Sequence, residues 1–435
     1  GPGATNLLTS LTESLNAGIP LIAMIGDSNR EHAWKNMTQE TRQVEMLRPA
    51  VKEVIRVEVG TRIPEHIRYA YTIATTGRPG PVLLDVPEDI CHGVFEFSAD
   101  DLFADPTTTY APSRRSRPAR DDVERAAKLL AEAKRPVILA GGGIHISGAQ
   151  DELTAFAEEQ SIPVGHTLSG KGSIACVHDL SLGLFGRYSR TANDVLDSAD
   201  AIFVVGCKLG EIATKRYTIP RLGIPIIHLD IMAAEIGRWA RTDIALCGDA
   251  REGIADLREA LSDGAEKRRA GRTDFITEIS AGKAKWRAEV EERLTSDEVP
   301  VNMARMVHEL NNVLPEDAIL VADGGFAAHW TGLIYDTKKA GRGYIPDRGM
   351  ASIGYGVSGG IGAQLAAPDR PVFTLTGDGG LNMTLGDLET AARLKVPVTV
   401  LVVNNAASGY IKALQHAMFG GRYQSADLSE LNYAN

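Results

Sequence analysis

Val372-Phe373-Thr374-Leu375-Thr376-Gly377-Asp378-Gly379-Gly380 and Val398-Thr399-Val400-Leu401-Val402-Val403-Asn404-Asn405 decide how this chain folds. In each stretch a short apolar run, Val372 to Leu375 and Val398 to Val403, ends on turn-forming polar residues, and a helix-patterned segment lies between them. Strand, helix and strand in this order make a βαβ unit, whose parallel strands open their tips on one carboxyl edge. Asp378 and Asn405 then face one cavity. A carboxylate beside an amide oxygen is a hard-oxygen pair that suits magnesium, which takes its remaining ligands from phosphate and water. The pattern therefore predicts a magnesium diphosphate. Gly377, Gly379 and Gly380 let backbone approach such a ligand without an intervening Cβ, although Gly-Asp-Gly alone reads first as a turn. Thr384 with Asp387 reads as a capping box, with Asn382 just before the helix start. That helix is expected to bury Leu385, Leu388, Ala391, Ala392 and Leu394 and to turn its free amides toward an anion.

Length and composition agree with a multidomain α/β enzyme. The 435 residues exceed one ordinary core, and 44% hydrophobic with 23% charged residues supply two or three. With 46 basic against 56 acidic residues the net charge is −10, which disfavours nucleic acid and anionic membranes as partners. Cys91, Cys176, Cys207 and Cys247 form no Cys-x-x-Cys pair, so neither zinc nor a disulfide framework is suggested, and a reducing cytoplasm is the simplest setting. No apolar run reaches the roughly 18 residues of a spanning helix, and the start shows no signal pattern.

Three units separate along the chain. Residues 1–97 alternate a helix near Asn6 to Ala17, the strand Pro20 to Ile25, a helix near Pro64 to Thr75 and the strand Pro81 to Asp85. Residues 98–120, rich in Pro, Thr, Ser, Asp and Arg, read as a surface linker. Residues 121–262 carry the helix Asp121 to Ala133 and strands at Pro136 to Ala140, Pro163 to Thr167, Ala201 to Val205 and Pro225 to Asp230, the pattern of a Rossmann-like sheet. Gly141-Gly142-Gly143 after its first strand is either a dinucleotide turn or a purely geometric one, and Asp230 either holds a ribose or caps the next turn. A charged helical connector, residues 263–298, precedes a third unit at 299–435 with the helix Asn302 to Val313 and the strand Ala318 to Ala322.

Gly377-Asp378-Gly379, Asn382-Met383-Thr384-Leu385 and Asn404-Asn405 together resemble the cofactor motif of thiamine diphosphate enzymes, specifically the acetolactate synthase-like superfamily. Gly1-Pro2-Gly3-Ala4-Thr5-Asn6 resembles a signature of that superfamily's pyrimidine-binding domain. Arg78-Pro79-Gly80-Pro81 through Pro87 resembles the end of that domain, and Gly354-Tyr355-Gly356 with Gly360-Ile361-Gly362-Ala363 the stretch before the metal motif. The resemblance implies three Rossmann-like parallel-sheet domains: a partial pyrimidine-binding domain, a middle domain and a diphosphate-binding domain. It also implies that the activating glutamate lies upstream of residue 1 and that further cofactor-domain elements follow residue 435.

For the site, the resemblance implies metal ligation by Asp378, Asn405 and the carbonyl of Ala407. Cofactor contacts would come from Gly325, Phe326, Ile353, Gly377, Asp378, Gly379, Gly380 and Asn405, with Ile353 supporting the bent cofactor, and a substrate pocket from Gln39, Ile353 and Tyr410. The resemblance also implies Glu40 near the same cleft, with Met37 about where relatives commonly have phenylalanine and Asp27 where they often have glutamine, and Lys412, Gln415 and His416 follow Tyr410 on a helix over the diphosphate. Flavin-carrying members have an arginine, phenylalanine and aspartate run where this chain reads Gly206-Cys207-Lys208-Leu209-Gly210-Glu211, which argues against FAD. The implied chemistry is decarboxylation of a 2-oxo acid, the cofactor taking up the electrons released with carbon dioxide. Carboligation to a second carbonyl is favoured over release of an aldehyde, in a homodimer or homotetramer with its active site at the dimer interface. A non-catalytic cofactor-binding fragment is the reading from another class.

Overall fold

A computed structural model describes residues 1–434. The chain divides into two compact units, one of residues 1–116 with 348–350, the other of residues 117–347 with those from 351 onward. The second unit holds two of the three sheets, and every strand pair in all three is parallel.

In the first unit β1 (Leu21–Asp27), β2 (Glu53–Arg56) and β3 (Pro81–Pro87) pair in the order β1-β3-β2. The central strand β3 is buried along nearly its whole length, as its apolar run requires. Residues 98–116 lie along the helix Ile63–Thr75, where the Thr75 hydroxyl donates to Thr108 O (3.0 Å) and Arg68 to Asp101 O (2.5 Å).

The larger sheet of the second unit contains β4 (Pro136–Ala140), β5 (Val164–His166), β6 (Ser181–Leu184), β7 (Ala201–Val205), β8 (Ile226–Asp230) and β9 (Ile244–Cys247), in the order β6-β5-β4-β7-β8-β9. This is the doubly wound arrangement whose order reverses between its first and fourth strands. The glycine triplet sits at that reversal for steric reasons. A Cβ on Gly141 would lie 2.1 Å from Gly206 O, and one on Gly143 2.6 Å from Gly206 Cα. Asp230 behaves as a turn cap, its Oδ1 accepting from Met232 N at 2.9 Å.

The smaller sheet runs β11-β10-β12-β13, with β10 (Ile319–Ala322), β11 (Tyr344–Pro346), β12 (Val372–Gly377) and β13 (Thr399–Val403). The long helix Thr273–Leu294 realises the charged connector. The expected capping box does not form. Helix starts at Asp378 itself (Asp378–Met383), a second helix runs Asp387–Leu394 behind Gly386, and the Thr384 hydroxyl donates to Gly354 O (3.1 Å). Nor is the expected apolar face buried: Leu385, Leu388 and Leu394 are exposed, and only Ala391 is covered.

Candidate active site

The site is built at the carboxyl edge of the smaller sheet. Gly377, the last residue of β12, pairs with Val403, the last of β13, so Asp378 and Asn404-Asn405 leave adjacent strands at the same level. The single spatial expectation drawn from the two strand tips, that they open side by side, is met by this register.

Asp378 is 1% exposed. Its Oδ1 accepts from Gly379 N at 2.9 Å, while its Oδ2 is buried without a hydrogen-bond partner among the described residues. Asn405 Oδ1 accepts from Ala407 N at 3.2 Å, which leaves the second lone pair of that oxygen for a ligand. Gly409 keeps this amide in place, since a Cβ there would stand 3.0 Å from Asn405 Nδ2. The donors are hard oxygens, the kind that hold a small divalent cation.

Asp323, at the tip of β10, organises the floor. It is 1% exposed, and its Oδ1 accepts from Gly324 N (2.6 Å) and Gly354 N (2.9 Å) while its Oδ2 accepts from the Thr376 hydroxyl (2.5 Å). One carboxylate thus ties β10, β12 and the start of the helix Tyr355–Ala366 together. It also dictates Gly380, whose Cβ would fall 2.4 Å from Asp323 Oδ2, and Gly356, whose Cβ would meet the same atom at 3.2 Å. Sequence reasoning passed over Asp323 and Thr376. The signal available was an aspartate followed by two glycines at the end of a buried strand, the same grammar as Gly377-Asp378-Gly379-Gly380.

Gly325, Phe326, Ile353 and Tyr410 gather around this floor. Gly325, at φ 69°, begins the helix Phe326–Ile334, and a Cβ on it would lie 3.8 Å from Tyr410 Cβ. The Phe326 and Tyr410 rings meet edge to face at 5.0 Å, with His329 5.6 Å from Tyr410 and Tyr188 4.4 Å from His329. Arg187, in the loop after β6, donates to the Tyr410 hydroxyl (3.2 Å) and pairs with Glu211. Ile353 lies against Gly324 and is 43% exposed, so it faces open space instead of the core.

Lys412, Gln415 and His416 lie on the helix Gly409–Phe419, as expected, and each has a partner beyond that helix. Lys412 pairs with Asp427 (2.5 Å), whose carboxylate raises the ammonium pKa, Gln415 brackets Gln424, and His416 Nδ1 meets the Tyr423 hydroxyl at 2.9 Å. All three fasten the segment after the helix Gly409–Phe419. That segment returns to the loop after β13 through Ser408 N to Ala426 O (2.8 Å), Leu428 N to Ala406 O (2.8 Å) and Asn404 Nδ2 to Leu431 O (2.7 Å).

In the first unit Gln39 is exposed at φ 63°, and Glu40 accepts from Trp34 N (2.5 Å) and Met37 N (3.2 Å), holding its own loop. The buried glutamine is Gln43, which donates to Gly26 O (2.8 Å) and Asp85 Oδ1 (2.7 Å). Asp27 is engaged by Arg56 (2.8 Å), which also reaches Asp85 (3.1 Å); burial is the main cause that lifts the Asp85 carboxyl above its usual range.

Comparison with known proteins agrees with this arrangement. Residues 123–257 match the thiamine pyrophosphate enzyme central domain, and residues 323–435 match the C-terminal TPP binding domain of the same enzymes. The chain is 33% identical to a probable acetolactate synthase large subunit of Methanocaldococcus jannaschii over 99% of its own length and 72% of that protein. It is 32% identical to the acetolactate synthase large subunit of Lactococcus lactis, over 97% of this chain and 71% of that one. For the corresponding subunit of Corynebacterium glutamicum the identity is 31%, over 98% and 67%. With three parallel sheets, two matched domains and relatives of this likeness across nearly all its residues, the chain belongs to the thiamine diphosphate-dependent enzymes, in the family of the acetolactate synthase large subunits.

Proposed function

We propose that this enzyme uses thiamine diphosphate and magnesium to decarboxylate a 2-oxo acid such as pyruvate and to join the retained carbon unit to a second carbonyl. The observation that carries the reading is Asp378 Oδ2, a buried carboxylate oxygen with no partner among the described residues. Leaving such an atom dry and unpaired is costly, and a divalent cation removes that cost. Asp378, Asn405 Oδ1 and the Ala407 carbonyl are the donors assigned to the ion, and it would bridge them to the diphosphate.

Bound thiamine diphosphate supplies carbanion stabilisation for bond cleavage next to a carbonyl. The chain's own residues position and enclose. Asp323 fixes the β10 and β12 tips and the Gly354 turn, so that Gly377 and Gly379, which are only partly buried, would present backbone to a ligand, with the buried Gly380 packed beneath them against Asp323. Gly325 and Phe326 line one side with Tyr410, which Arg187 orients, and Ile353 presents an apolar face where a bent cofactor needs support. Gln39 is assigned to the substrate pocket on the resemblance alone.

A second copy of the chain is the proposed cover for the exposed Met383, Leu385, Leu388 and Leu394, next in sequence to the cofactor turn. The domain boundaries proposed are 1–97, 121–262 and 299–435, with linker and connector between. No helix among the described residues is long and apolar enough to cross a membrane, and a cytoplasmic setting is proposed from the four free cysteines. Incubation with pyruvate, thiamine diphosphate and magnesium, read by mass spectrometry, tests the function. Acetolactate supports it, acetaldehyde alone replaces ligation by simple decarboxylation, and cofactor binding without turnover of any 2-oxo acid supports a non-catalytic role.

A further inference from the structure

The helix Phe326–Ile334 is finished differently at its two ends. Its first turn follows the β10 tip behind Gly325, with no side-chain cap and no acidic residue in the turn. The first four N–H groups of a helix lack partners inside it, so this end is bare beside the diphosphate edge, where an anion would supply acceptors.

The other end is fully supplied. A helix leaves its last four carbonyls unpaired, and here each has a donor. Thr331 O accepts from Tyr335 N (3.0 Å), Gly332 O from the Lys171 ammonium (3.0 Å), Leu333 O from Arg190 Nε (2.7 Å), and Ile334 O from Arg190 (3.0 Å) and Asn311 Nδ2 (3.0 Å).

Lys171 and Arg190 come from the larger sheet, in the loops after β5 and β6, whereas the helix follows β10 of the smaller one. Neither is a loose surface cation. Arg190 pairs with Asp336 (2.9 Å) and lies 4.9 Å over the Trp286 ring. Lys171 is 1% exposed, and burial is the largest cause lowering its pKa, with Cys176 and Asp336 raising it and Arg190 lowering it. A buried ammonium is costly to place, and the bond it donates is stronger than a neutral one. The Lys171 loop also approaches closely, since a Cβ on Gly332 would lie 2.1 Å from Leu168 Cδ2.

We propose that Lys171 and Arg190 are positioning residues for the cofactor: by holding the C-terminal carbonyls of the helix Phe326–Ile334 they fix how far its bare first turn reaches toward the diphosphate. Nine residues make a helix about 13 Å long, so neither side chain touches the ligand and the helix carries the effect as a rod. The inference rests on the thiamine diphosphate site proposed above.

The test measures thiamine diphosphate binding to the full protein by calorimetry in excess magnesium, with urea denaturation of the ligand-free protein alongside. Arg190→Gln and Lys171→Met should each raise the Kd by about tenfold, the size of one charge-assisted hydrogen bond. Arg190→Lys, which keeps a cation and a donor, should recover part of that loss. A role confined to stability would lower the urea midpoint and leave the Kd of the folded protein unchanged. Arg268→Gln supplies that case, since Arg268 donates to the carbonyls of Leu261 and Asp263 (2.9 Å) after the helix Ala250–Ala260, and its Kd should match the wild type. If Lys171→Met does not fold, the two Arg190 substitutions decide. Wild-type protein that binds no thiamine diphosphate overturns the functional reading and this inference with it. Wild-type binding with an unchanged Kd in Arg190→Gln, or an equal weakening by Arg268→Gln, overturns the inference alone.

Discussion

Asp378→Asn separates a ligand site from a structural carboxylate by the sign of its effect. The side chain is nearly isosteric, remains 1% exposed by position, and loses the negative charge whose Oδ2 has no partner among the described residues. Removing a poorly compensated buried charge without changing volume should be neutral to stabilising, about 0–3 kcal/mol in the absence of ligands. With thiamine diphosphate and magnesium near 100 times their Kd, the wild-type protein should gain about 2.7 kcal/mol, a rise of about 3 °C in midpoint. The variant should lose most of that gain while its ligand-free midpoint holds or rises. Thermal denaturation with magnesium, and with chelator in its place, reads both quantities on one sample. A variant that is markedly less stable without ligand, or that keeps the full magnesium-dependent rise, would refute the reasoning.

Gly380→Ala places a Cβ 2.4 Å from Asp323 Oδ2 and 2.7 Å from Thr376 Oγ1, so urea denaturation should show a loss of about 1–3 kcal/mol together with weakened cofactor binding. Gly141→Ala, with its Cβ 2.1 Å from Gly206 O, should destabilise the middle sheet by a similar amount of about 1–3 kcal/mol, while an unchanged midpoint would remove the steric account of the triplet. His228, whose Nε2–H donates to the Cys207 carbonyl at 3.0 Å, has its pKa lowered to about 4 chiefly by burial. The folded state then binds fewer protons than the unfolded one, so its contribution is complete above the ordinary histidine range and is lost as pH falls toward 4. Between pH 7.5 and 4.5 this costs about 2–3 kcal/mol, and His228→Gln should flatten that part of the stability profile.

The parts of the fold that were legible in sequence are those where burial on both faces writes an apolar run. β4, β7 and β8 are buried along their whole lengths and stand within a residue of where the runs put them. β6, β9 and β11 are edge strands of three or four residues with no such run, and they were missed. The strand tips at Asp378 and Asn405 were readable because glycine and asparagine mark a turn locally. The capping box failed because the Thr384 hydroxyl is taken by Gly354 O, 30 positions away, a partner invisible to local pattern. Leu385, Leu388 and Leu394 kept the right helical period but lie on a face this chain does not cover. Asp323 escaped for the same reason as Thr384, since its three donors come from β10, β12 and the Gly354 turn and only the fold assembles them.

Crystals grown with thiamine diphosphate and manganese in place of magnesium would probe the metal assignment directly through anomalous scattering. The expected result is a single peak within about 2.0–2.2 Å of an Asp378 carboxylate oxygen, Asn405 Oδ1 and the Ala407 carbonyl, bridging to the diphosphate. A peak elsewhere, or a bound diphosphate with no metal between these residues, would contradict the assignment of Asp378 and Asn405 as its anchors.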